Sequence, residues 1–482
     1  MSVPRFRRAL LVNPPTGLFR RDDRCQCKVE DQTVQITFPP IELALLAAVL
    51  RRAGAEPFVR DYPARGEGWA RYVADLKALE PDFVLVNVVT ATAAGDFQAC
   101  AAAKETLGPK AMTAAKGEYM EALGVEALRD HPEVDVGFHG EVERVIEKFH
   151  RGEALATLPG VIYRDGAAAD GPGRIHRNPG HPVVDNLDEL PYPARDLLEN
   201  ELYRSPESGR PLTVIHGNRG CPAHCIFCPA GVISGFSVRY RSPANVLGEI
   251  EECVERFGID EFLFHGDTFT LNKSWTIELC ERIVERGLKI RWGCNSRVDT
   301  LDDERAAAMK RAGCWVVAFG VETGNQDLLD RMKKAATLAD AERAVAVCKR
   351  HGLRTHAFFV IGLPWETEAT LAQTLDFARK LDTDFFDFNI AYPLPGTEFY
   401  EMAVAENLFE APPETGGYAR AAVGSYELSA ERLTEWRRQA LLAMYLRPGY
   451  IARTLLKSRS PRVTANYVRA GARRLRQLLT AS

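Results

Sequence analysis

The chain has 482 residues, a length that predicts two to four domains with a large buried core. Its hydrophobic fraction of 46%, its charged fraction of 26% and its net charge of −4 are typical of a soluble globular protein without a nucleic-acid partner. The 11 cysteines do not form a secreted disulfide framework, so we expect a reducing cytoplasm, and no apolar run is long enough to predict a transmembrane helix.

Residues 1–160 alternate strand and helix patterns. Apolar strand patterns cover 9–12, 57–61, 83–89 and 135–138, and helical patterns cover 41–53, 69–79, 97–107 and 141–149. Strands that alternate with helices predict a parallel, doubly wound α/β sheet. Ligands of such sheets bind at the carboxyl ends of the strands.

Four short motifs in this region carry a resemblance. The segments 12–15, 39–44 and 138–141, together with Asp61, resemble the cobalamin-binding domain that is often joined to radical S-adenosylmethionine (SAM) domains. The match is weaker at 113–118, where relatives often carry a Gly-Gly turn. The resemblance implies a Rossmann-like domain that binds cobalamin; the alternative is a domain without cofactor that shapes the substrate cavity.

One cobalamin motif is absent. Some cobalamin proteins supply a histidine to cobalt from an Asp-x-His-x-x-Gly motif, but none of the ten histidines here has an aspartate two positions before it. We therefore expect any cobalamin to bind without that ligand. Cys25 and Cys27 form a close pair in the same region, and we consider them either a further metal or catalytic pair or ordinary loop residues.

Residues 161–205 are rich in Gly, Pro, Asp and His and predict a linker without a core pattern. The linker ends in the step Leu190-Pro191-Tyr192-Pro193, and a similar step precedes the catalytic domain of related proteins.

The most specific motif is Cys221, Cys225 and Cys228, which have the spacing C-x3-C-x2-C. Three thiolates in one short loop can hold three corners of a [4Fe–4S] cluster and leave one iron open. The alternative is a zinc site, but zinc prefers four closed ligands and the nearest candidate, His224, lies inside the same loop.

This loop resembles the radical SAM superfamily. The resemblance implies that the open iron binds the amino and carboxylate groups of SAM, and that one electron from the cluster cleaves SAM to a 5'-deoxyadenosyl radical. Phe227, which lies inside the loop, is included among the expected cofactor contacts.

Residues 206–405 predict an open (β/α)6 barrel, a partial version of the eight-fold barrel. Strand patterns recur at 212–216, 261–265, 289–294, 315–321, 354–361 and 385–391, and helical patterns separate them at 245–257, 275–287, 303–313, 338–352 and 367–381. Sites of such barrels lie at the carboxyl ends of the strands, which is where the cysteine loop falls.

Two expected SAM contacts follow the second and third of these strands. The segment 264–269 resembles the family segment that meets the SAM amino group, so Asp267 would accept from the ammonium; the alternative is a helix cap. Arg297 would pair with the SAM carboxylate as a bidentate fork, and the alternative is a surface salt bridge.

Three more contacts are implied by the fourth and fifth strands. Glu322 lies in a run similar to Gly-Val-Glu-Ser-Gly and would accept the ribose hydroxyls; the alternative is a structural ion pair. Ile361 and Gly362 begin a run similar to Gly-Leu-Pro-Gly-Glu-Thr, so Ile361 would pack on adenine unless it is a core residue. Glu366 and Thr367, further along that run, are expected to start a helix.

The last region, 406–482, predicts a helical basic tail. An amphipathic helix pattern covers 428–445, and residues 447–482 carry nine Lys or Arg and no Asp or Glu. Such a segment can contact an anionic membrane surface; the alternative is a helical end that caps the barrel.

Together these features predict a radical SAM enzyme that functionalises an unactivated carbon of a small-molecule substrate. With cobalamin the outcome would be methyl transfer, and otherwise oxidation or cyclisation, as in the branch that resembles the anaerobic magnesium-protoporphyrin monomethyl ester cyclase. The family implies a flavodoxin or ferredoxin as electron donor. The alternative class is a non-catalytic iron–sulfur protein of electron transfer or redox sensing.

Overall fold

Two largely parallel sheets, each in its own half of the chain, form the framework of the protein. The computed structural model describes residues 6–22, 25–32, 34–165, 173–266, 268–458 and 461–480. The strands of the first half are β1 Arg8–Asn13, β2 Phe19–Asp22, β3 Cys25–Lys28, β4 Glu56–Asp61, β5 Phe83–Asn87, β6 Met112–Lys116, β7 Val136–Phe138, β8 Val161–Arg164 and β9 Ile175–Arg177. Its helices are α1 Ile41–Arg52, α2 Tyr62–Arg65, α3 Trp69–Leu79, α4 Ala93–Leu107, α5 Tyr119–Asp130 and α6 Glu143–His150.

The first sheet is doubly wound, as predicted. Its strand order is β4-β1-β5-β6-β7-β8-β9, with parallel pairing from β4 to β7 and antiparallel pairing beyond. Helices α1 and α6 pack on one face of the sheet, and α3, α4 and α5 pack on the other. The order reverses between β1 and β5, so a ligand crevice is expected at the carboxyl ends of these two strands.

Two parts of this sheet differ from the sequence prediction. The segment 112–130 forms β6 and α5, where we predicted no strand or helix. The strand consists of Met, Thr, Ala and Lys and has no apolar β-branched pattern, yet it is buried between β5 and β7. Strands β8 and β9 continue the sheet past residue 160 into the segment predicted as a linker.

The second sheet confirms the predicted barrel. Its strands are β10 Leu212–His216, β13 Glu261–His265, β14 Arg291–Arg297, β15 Cys314–Glu322, β16 Arg354–Ile361 and β17 Phe385–Ile390, all parallel and in sequential order. A small hairpin of β11 Asn218–Arg219 and β12 Arg239–Tyr240 flanks the cysteine loop. The helices are α7 Ala230–Ser234, α8 Pro243–Phe257, α9 Lys273–Glu285, α10 Asp303–Arg311, α11 Gln326–Arg331, α12 Leu338–Arg350, α13 Glu368–Leu381 and α14 Glu398–Ala405.

Three C-terminal helices, α15 Ala430–Tyr445, α16 Pro448–Leu456 and α17 Pro461–Thr480, pack on the barrel. Several of their basic side chains make internal contacts: Arg453 pairs with Asp382, Lys457 pairs with Asp384, and Arg474 donates to backbone carbonyls of Glu30 and Asp31. This arrangement matches the capping alternative, and membrane contact stays a prediction. Among the helices described, none is both long and apolar enough to span a membrane.

Candidate active site

The cysteine loop follows β10 at the carboxyl end of the barrel. Cys221, Cys225 and Cys228 are half-buried, and none of the three forms a disulfide. The loop needs a glycine just before its first cysteine, because Gly220 has φ +89° and a Cβ there would lie 2.2 Å from the Ser237 carbonyl oxygen. The chain therefore turns back at Gly220, and the three thiols lie within eight residues of one another.

The centre of the loop is held against two helices. The Ile226 amide donates to Met332 O at 3.1 Å, and the Phe399 amide donates to Ile226 O at 2.9 Å. Phe227 is partly buried and packs in the apolar cluster that surrounds Ile226. The structure thus gives Phe227 a packing role beside the loop, and its contact with a cofactor stays a prediction.

Charged side chains surround the thiol of Cys225. Burial raises its pKa, while the nearby cations Lys334 and Arg297 lower it and Glu322 raises it. A cysteine binds iron as thiolate, so the two cations favour the ligand form once iron arrives. Lys334 carries no sequence motif and was not predicted.

Glu322 ends β15 in a buried ion pair. Its side chain accepts from Lys334 Nζ at 2.5 Å, and both residues are buried. The backbone of Glu322 has φ +70°, a left-handed conformation that is unusual for glutamate and costs about 1–3 kcal/mol. Gly320 makes room for the pair, because a Cβ there would lie 2.3 Å from Glu322 Oε1 and 2.7 Å from Lys334 Nζ. Strain held at a strand end points to a functional carboxylate.

Arg297 ends β14 close to the loop, but its guanidinium group binds another residue of the protein. Its Nε and Nη2 atoms donate to Asp299 at 2.9 and 2.8 Å, and Nη2 also donates to Lys334 O at 2.8 Å. The structure therefore shows a salt bridge, as in the alternative, but Arg297 is buried and does not lie at the surface. A contact with the SAM carboxylate stays a prediction and would require this pair to open or to share the guanidinium.

The end of β13 contains a polar group that the sequence did not reveal. Asp267 lies outside the described residues. Beside it, a Cβ on Gly266 would lie 2.0 Å from Asn218 Oδ1, so glycine allows the Asn218 side chain to approach. Asn218 is 2% exposed, and neither polar atom of its side chain has a hydrogen-bond partner within the described structure. A buried unpaired amide at a strand end is a candidate ligand contact.

The end of β16 combines a core residue with a turn. Ile361 is fully buried and belongs to the main barrel core, as in the packing alternative, and its contact with adenine stays a prediction. Gly362 has φ +87°, which favours glycine, and Leu433 of α15 lies 3.2 Å from the position of its Cβ. Thr367 begins α13 with a capping box, which confirms the helix start predicted there.

Comparisons with known proteins agree with this geometry. Residues 215–378 match the Radical SAM superfamily. An uncharacterized methyltransferase of Pyrococcus horikoshii is 30% identical over 459 residues, which cover 93% of this chain and 94% of that protein. The chain belongs to the radical SAM superfamily. The anaerobic magnesium-protoporphyrin IX monomethyl ester cyclase of Rubrivivax gelatinosus is 28% identical, over 76% of this chain and 66% of the cyclase.

A solved structure shares the whole architecture of this radical SAM enzyme. The radical SAM methyltransferase TsrM of Kitasatospora setae, determined with cobalamin and a [4Fe–4S] cluster, superposes with a TM-score of 0.68 and 18% identity and covers 99% of this chain and 100% of TsrM. The predicted combination of a doubly wound domain, a partial barrel and a helical C-terminus is thereby confirmed. Membership of the superfamily sets aside the non-catalytic alternative.

The residues of the first domain fit a cobalamin cofactor. The side-chain amides of Asn13 and Asn87 lie at the carboxyl ends of β1 and β5, and the side-chain amide of Gln26 lies on the hairpin of β2 and β3. All three residues are buried. Gln26 donates to Glu118, while its Oε1 atom has no partner in the part of the chain that the structure describes. Amides of this kind match the carboxamide arms of a corrin ring. Cys27 is buried in the same hairpin, and the side chain of Cys25 lies outside the described residues, so the role of this pair stays a prediction.

Glu366 supplies a stability test that is independent of cofactors. Its carboxyl group is 1% exposed, and burial raises its pKa from 4.5 to about 7. The folded protein holds this proton more tightly than the unfolded chain, so protonated Glu366 adds to the free energy of unfolding. This stabilisation is fully present below about pH 4.5 and is lost as the pH rises through 7. The difference in the pKa of Glu366 between the folded and unfolded states corresponds to about 3 kcal/mol of the free energy of unfolding.

We expect Glu366→Gln to remove this pH dependence. Between about pH 5 and 8, the wild type should lose thermal stability relative to the variant, as measured by the melting temperatures of both proteins without cofactors. Glu368→Gln is the matched control, because Glu368 lies two positions away in an exposed pair with Arg432. Parallel curves for wild type and Glu366→Gln would contradict the assignment.

Proposed function

We propose that this chain transfers a methyl group from SAM, by way of cobalamin, to an unactivated carbon of an apolar small molecule. The observation that carries the proposal is the combination of two features in one chain: a three-cysteine loop at the carboxyl end of a barrel, and buried amide side chains at the switch point of a doubly wound sheet. The names of the full-length relative and of the TsrM neighbour, both methyltransferases, support this reaction.

Each cofactor would supply one part of the chemistry. When bound, the cluster supplies the electron that cleaves SAM, and cobalamin supplies the methyl group. Cys221, Cys225 and Cys228 would hold three irons, and the cations of Arg297 and Lys334 would favour the thiolate state. Glu322, at the end of β15, would bind the ribose hydroxyls of SAM.

The products distinguish methyl transfer from its alternative. Methyl transfer consumes two SAM molecules and two electrons for each methylated product, and yields 5'-deoxyadenosine, methionine and S-adenosylhomocysteine. Oxidation or cyclisation, which the similarity to the Rubrivivax cyclase favours, yields no S-adenosylhomocysteine and no new methyl group. With SAM labelled at its methyl group, we expect the label in the product; an unlabelled, oxidised product would replace the proposal by the second candidate.

A large cavity inside the barrel suggests the nature of the substrate. Its volume is about 720 Å³, within the range of small-molecule sites. The inner barrel wall, the segment 32–38 and the three C-terminal helices enclose it. Its lining includes the apolar or aromatic residues Leu263, Ala318, Phe358, Leu442, Tyr445 and Leu475.

The two ends of this cavity have different character. Asn295 and Ala318 line it two residues before Arg297 and Gly320 on the same strands, so one end approaches the proposed SAM site. At the other end, Leu446, Ile451 and Val468 line the cavity, and each of these residues is 44–54% exposed. An apolar entrance leading towards the cofactors fits an apolar substrate better than a polar one.

One polar pair lies in the wall of the cavity. His356 Nε2 and Asp387 Oδ2 are 2.9 Å apart, and both residues line the cavity from β16 and β17. A few fixed polar groups in an apolar pocket orient a ligand. We propose that this pair orients a polar group of the substrate.

Filling the cavity should weaken the binding of apolar molecules. We expect Ala318→Leu to raise the dissociation constant of an apolar fluorescent probe such as Nile red about tenfold or more, because the larger side chain occupies the space of the ligand. Ala339→Leu on the exposed face of α12 is the matched control. Equal probe affinity in Ala318→Leu and wild type would contradict the cavity as the binding site.

The remaining partners are proposed from the family and the composition. A flavodoxin or ferredoxin would deliver the electrons in the cytoplasm. The exposed apolar residues at the cavity entrance, together with the basic tail, support contact with an anionic membrane that presents an apolar substrate. Leu456 in α16 is 84% exposed, so we expect Leu456→Asp to weaken binding to anionic vesicles. Equal binding by the variant and the wild type would contradict the proposed membrane contact.

A further inference from the structure

Three side chains from separate segments converge beside the first sheet. Glu121 lies in α5, His139 directly follows β7, and His181 lies in the segment after β9. Their ligand atoms all lie within 4.8 Å of one another. Glu121 and His139 are buried, whereas the His181 side chain is 34% exposed and gives the cluster access to solvent.

The spacing in this cluster is too wide for hydrogen bonds. Glu121 Oε2 lies 3.8 Å from His139 Nδ1 and 3.7 Å from His181 Nδ1. Two atoms bound to the same ion at about 2.0–2.2 Å are themselves roughly 3.3–3.6 Å apart in tetrahedral geometry, so the observed separations are only slightly wider. The gap therefore has the size of a shared metal ion.

The surrounding hydrogen bonds orient two of the three ligands. His181 Nε2 lies 2.7 Å from Ile233 O, a carbonyl that can only accept, so the proton is on Nε2 and the lone pair of Nδ1 faces Glu121. The other carboxylate oxygen, Glu121 Oε1, accepts from the Gly140 amide at 2.6 Å. Such outer contacts usually fix the ligands of a metal site.

The ring of His139 is independent evidence that this cluster binds an ion. The residue is 4% exposed, and neither ring nitrogen has a hydrogen-bond partner in the described structure. The nearby Arg177 donates to the Glu121 backbone carbonyl rather than to its carboxylate.

We propose that Glu121, His139 and His181 bind a divalent transition-metal ion, Zn²⁺ or Fe²⁺, with a fourth position open to water. Two imidazoles and one carboxylate are a common ligand set for both ions. Ile233 lies in α7, four residues after the proline that follows Cys228, so the ion would tie the first sheet and the segment after it to the helix behind the cluster loop. The site is separate from the proposed cluster and needs neither SAM nor cobalamin.

The test is metal analysis of the full-length protein with its cluster reconstituted, so that the three loop cysteines are occupied. After dialysis against zinc, we expect about one zinc per chain in the wild type and at least tenfold less in His181→Ala and in the isosteric variant Glu121→Gln. If the native ion is iron, the wild type as purified and reconstituted should hold one iron more than either variant.

Controls separate this site from the cluster and from misfolding. His176→Ala is the matched control, because His176 is a half-buried histidine on the neighbouring strand β9 that pairs with Asp165. It should retain the extra ion, and all variants should retain the iron and sulfide of the cluster. Equal zinc and iron in wild type, His181→Ala and Glu121→Gln would overturn the proposal and leave the proposed radical chemistry untouched.

Discussion

Cys225→Ala is expected to abolish cluster assembly and, with it, SAM cleavage. Three cysteines are the minimum set for a cluster with one open iron, and no other cysteine of the described structure lies in this loop. Anaerobic reconstitution should give about four irons and four sulfides per wild-type chain and only background amounts in the variant. The measurement is iron and sulfide content together with the visible absorption of the cluster.

Cys348→Ala provides the control for this experiment. Cys348 is fully buried in α12 and belongs to the barrel core, so the variant removes a thiol without touching the loop. It should assemble the cluster as the wild type does. Full iron content in Cys225→Ala, or equal loss in both variants, would contradict the assignment of the loop.

Glu322→Gln is expected to weaken SAM binding by a factor of about 10 to 100, because a charge-assisted hydrogen bond is worth about 1.5–3 kcal/mol. The substitution also leaves Lys334 buried without its carboxylate partner, and breaking a buried pair in this way costs about 3–5 kcal/mol. The melting temperature should therefore fall together with the affinity. Equilibrium binding of SAM to the reconstituted protein measures the first effect, and thermal unfolding measures the second.

The adjacent lysine offers a matched comparison. Lys333 pairs with Glu398 at 2.6 Å, but both side chains are about half exposed. Because exposed pairs contribute little, Glu398→Gln should change neither the melting temperature nor SAM affinity measurably. A Glu322→Gln protein that is less stable but binds SAM like the wild type would show a purely structural ion pair.

The sequence predicted the barrel well, since most of its strands contain apolar residues and end in a motif of glycine or polar residues. The strand β6 was missed because threonine and alanine give no strand pattern, although Thr113 and Ala115 are fully buried between neighbouring strands. Strands β8 and β9 were hidden by the prolines and glycines around them. Such short strands are stabilised by pairing with neighbouring strands, and the local sequence pattern does not show this pairing.

The cysteine loop was visible because all its ligands are close in sequence. Lys334 and Asn218 were not, since their roles depend on contacts with Glu322 and Gly266 that only the folded chain creates. The cavity was hidden for the same reason, because its walls come from the segment 32–38, the barrel and the C-terminal helices. Arg297 was recognised as a cation near the site, but its partner Asp299 was not.

The central claim is that this protein cleaves SAM reductively at the Cys221, Cys225 and Cys228 loop. The most direct measurement is the amount of 5'-deoxyadenosine formed from SAM by the anaerobically reconstituted protein with a low-potential reductant. We predict 5'-deoxyadenosine and methionine from the wild type and only background from Cys225→Ala. A wild type that assembles its cluster, binds SAM and forms no more 5'-deoxyadenosine than Cys225→Ala would contradict the claim.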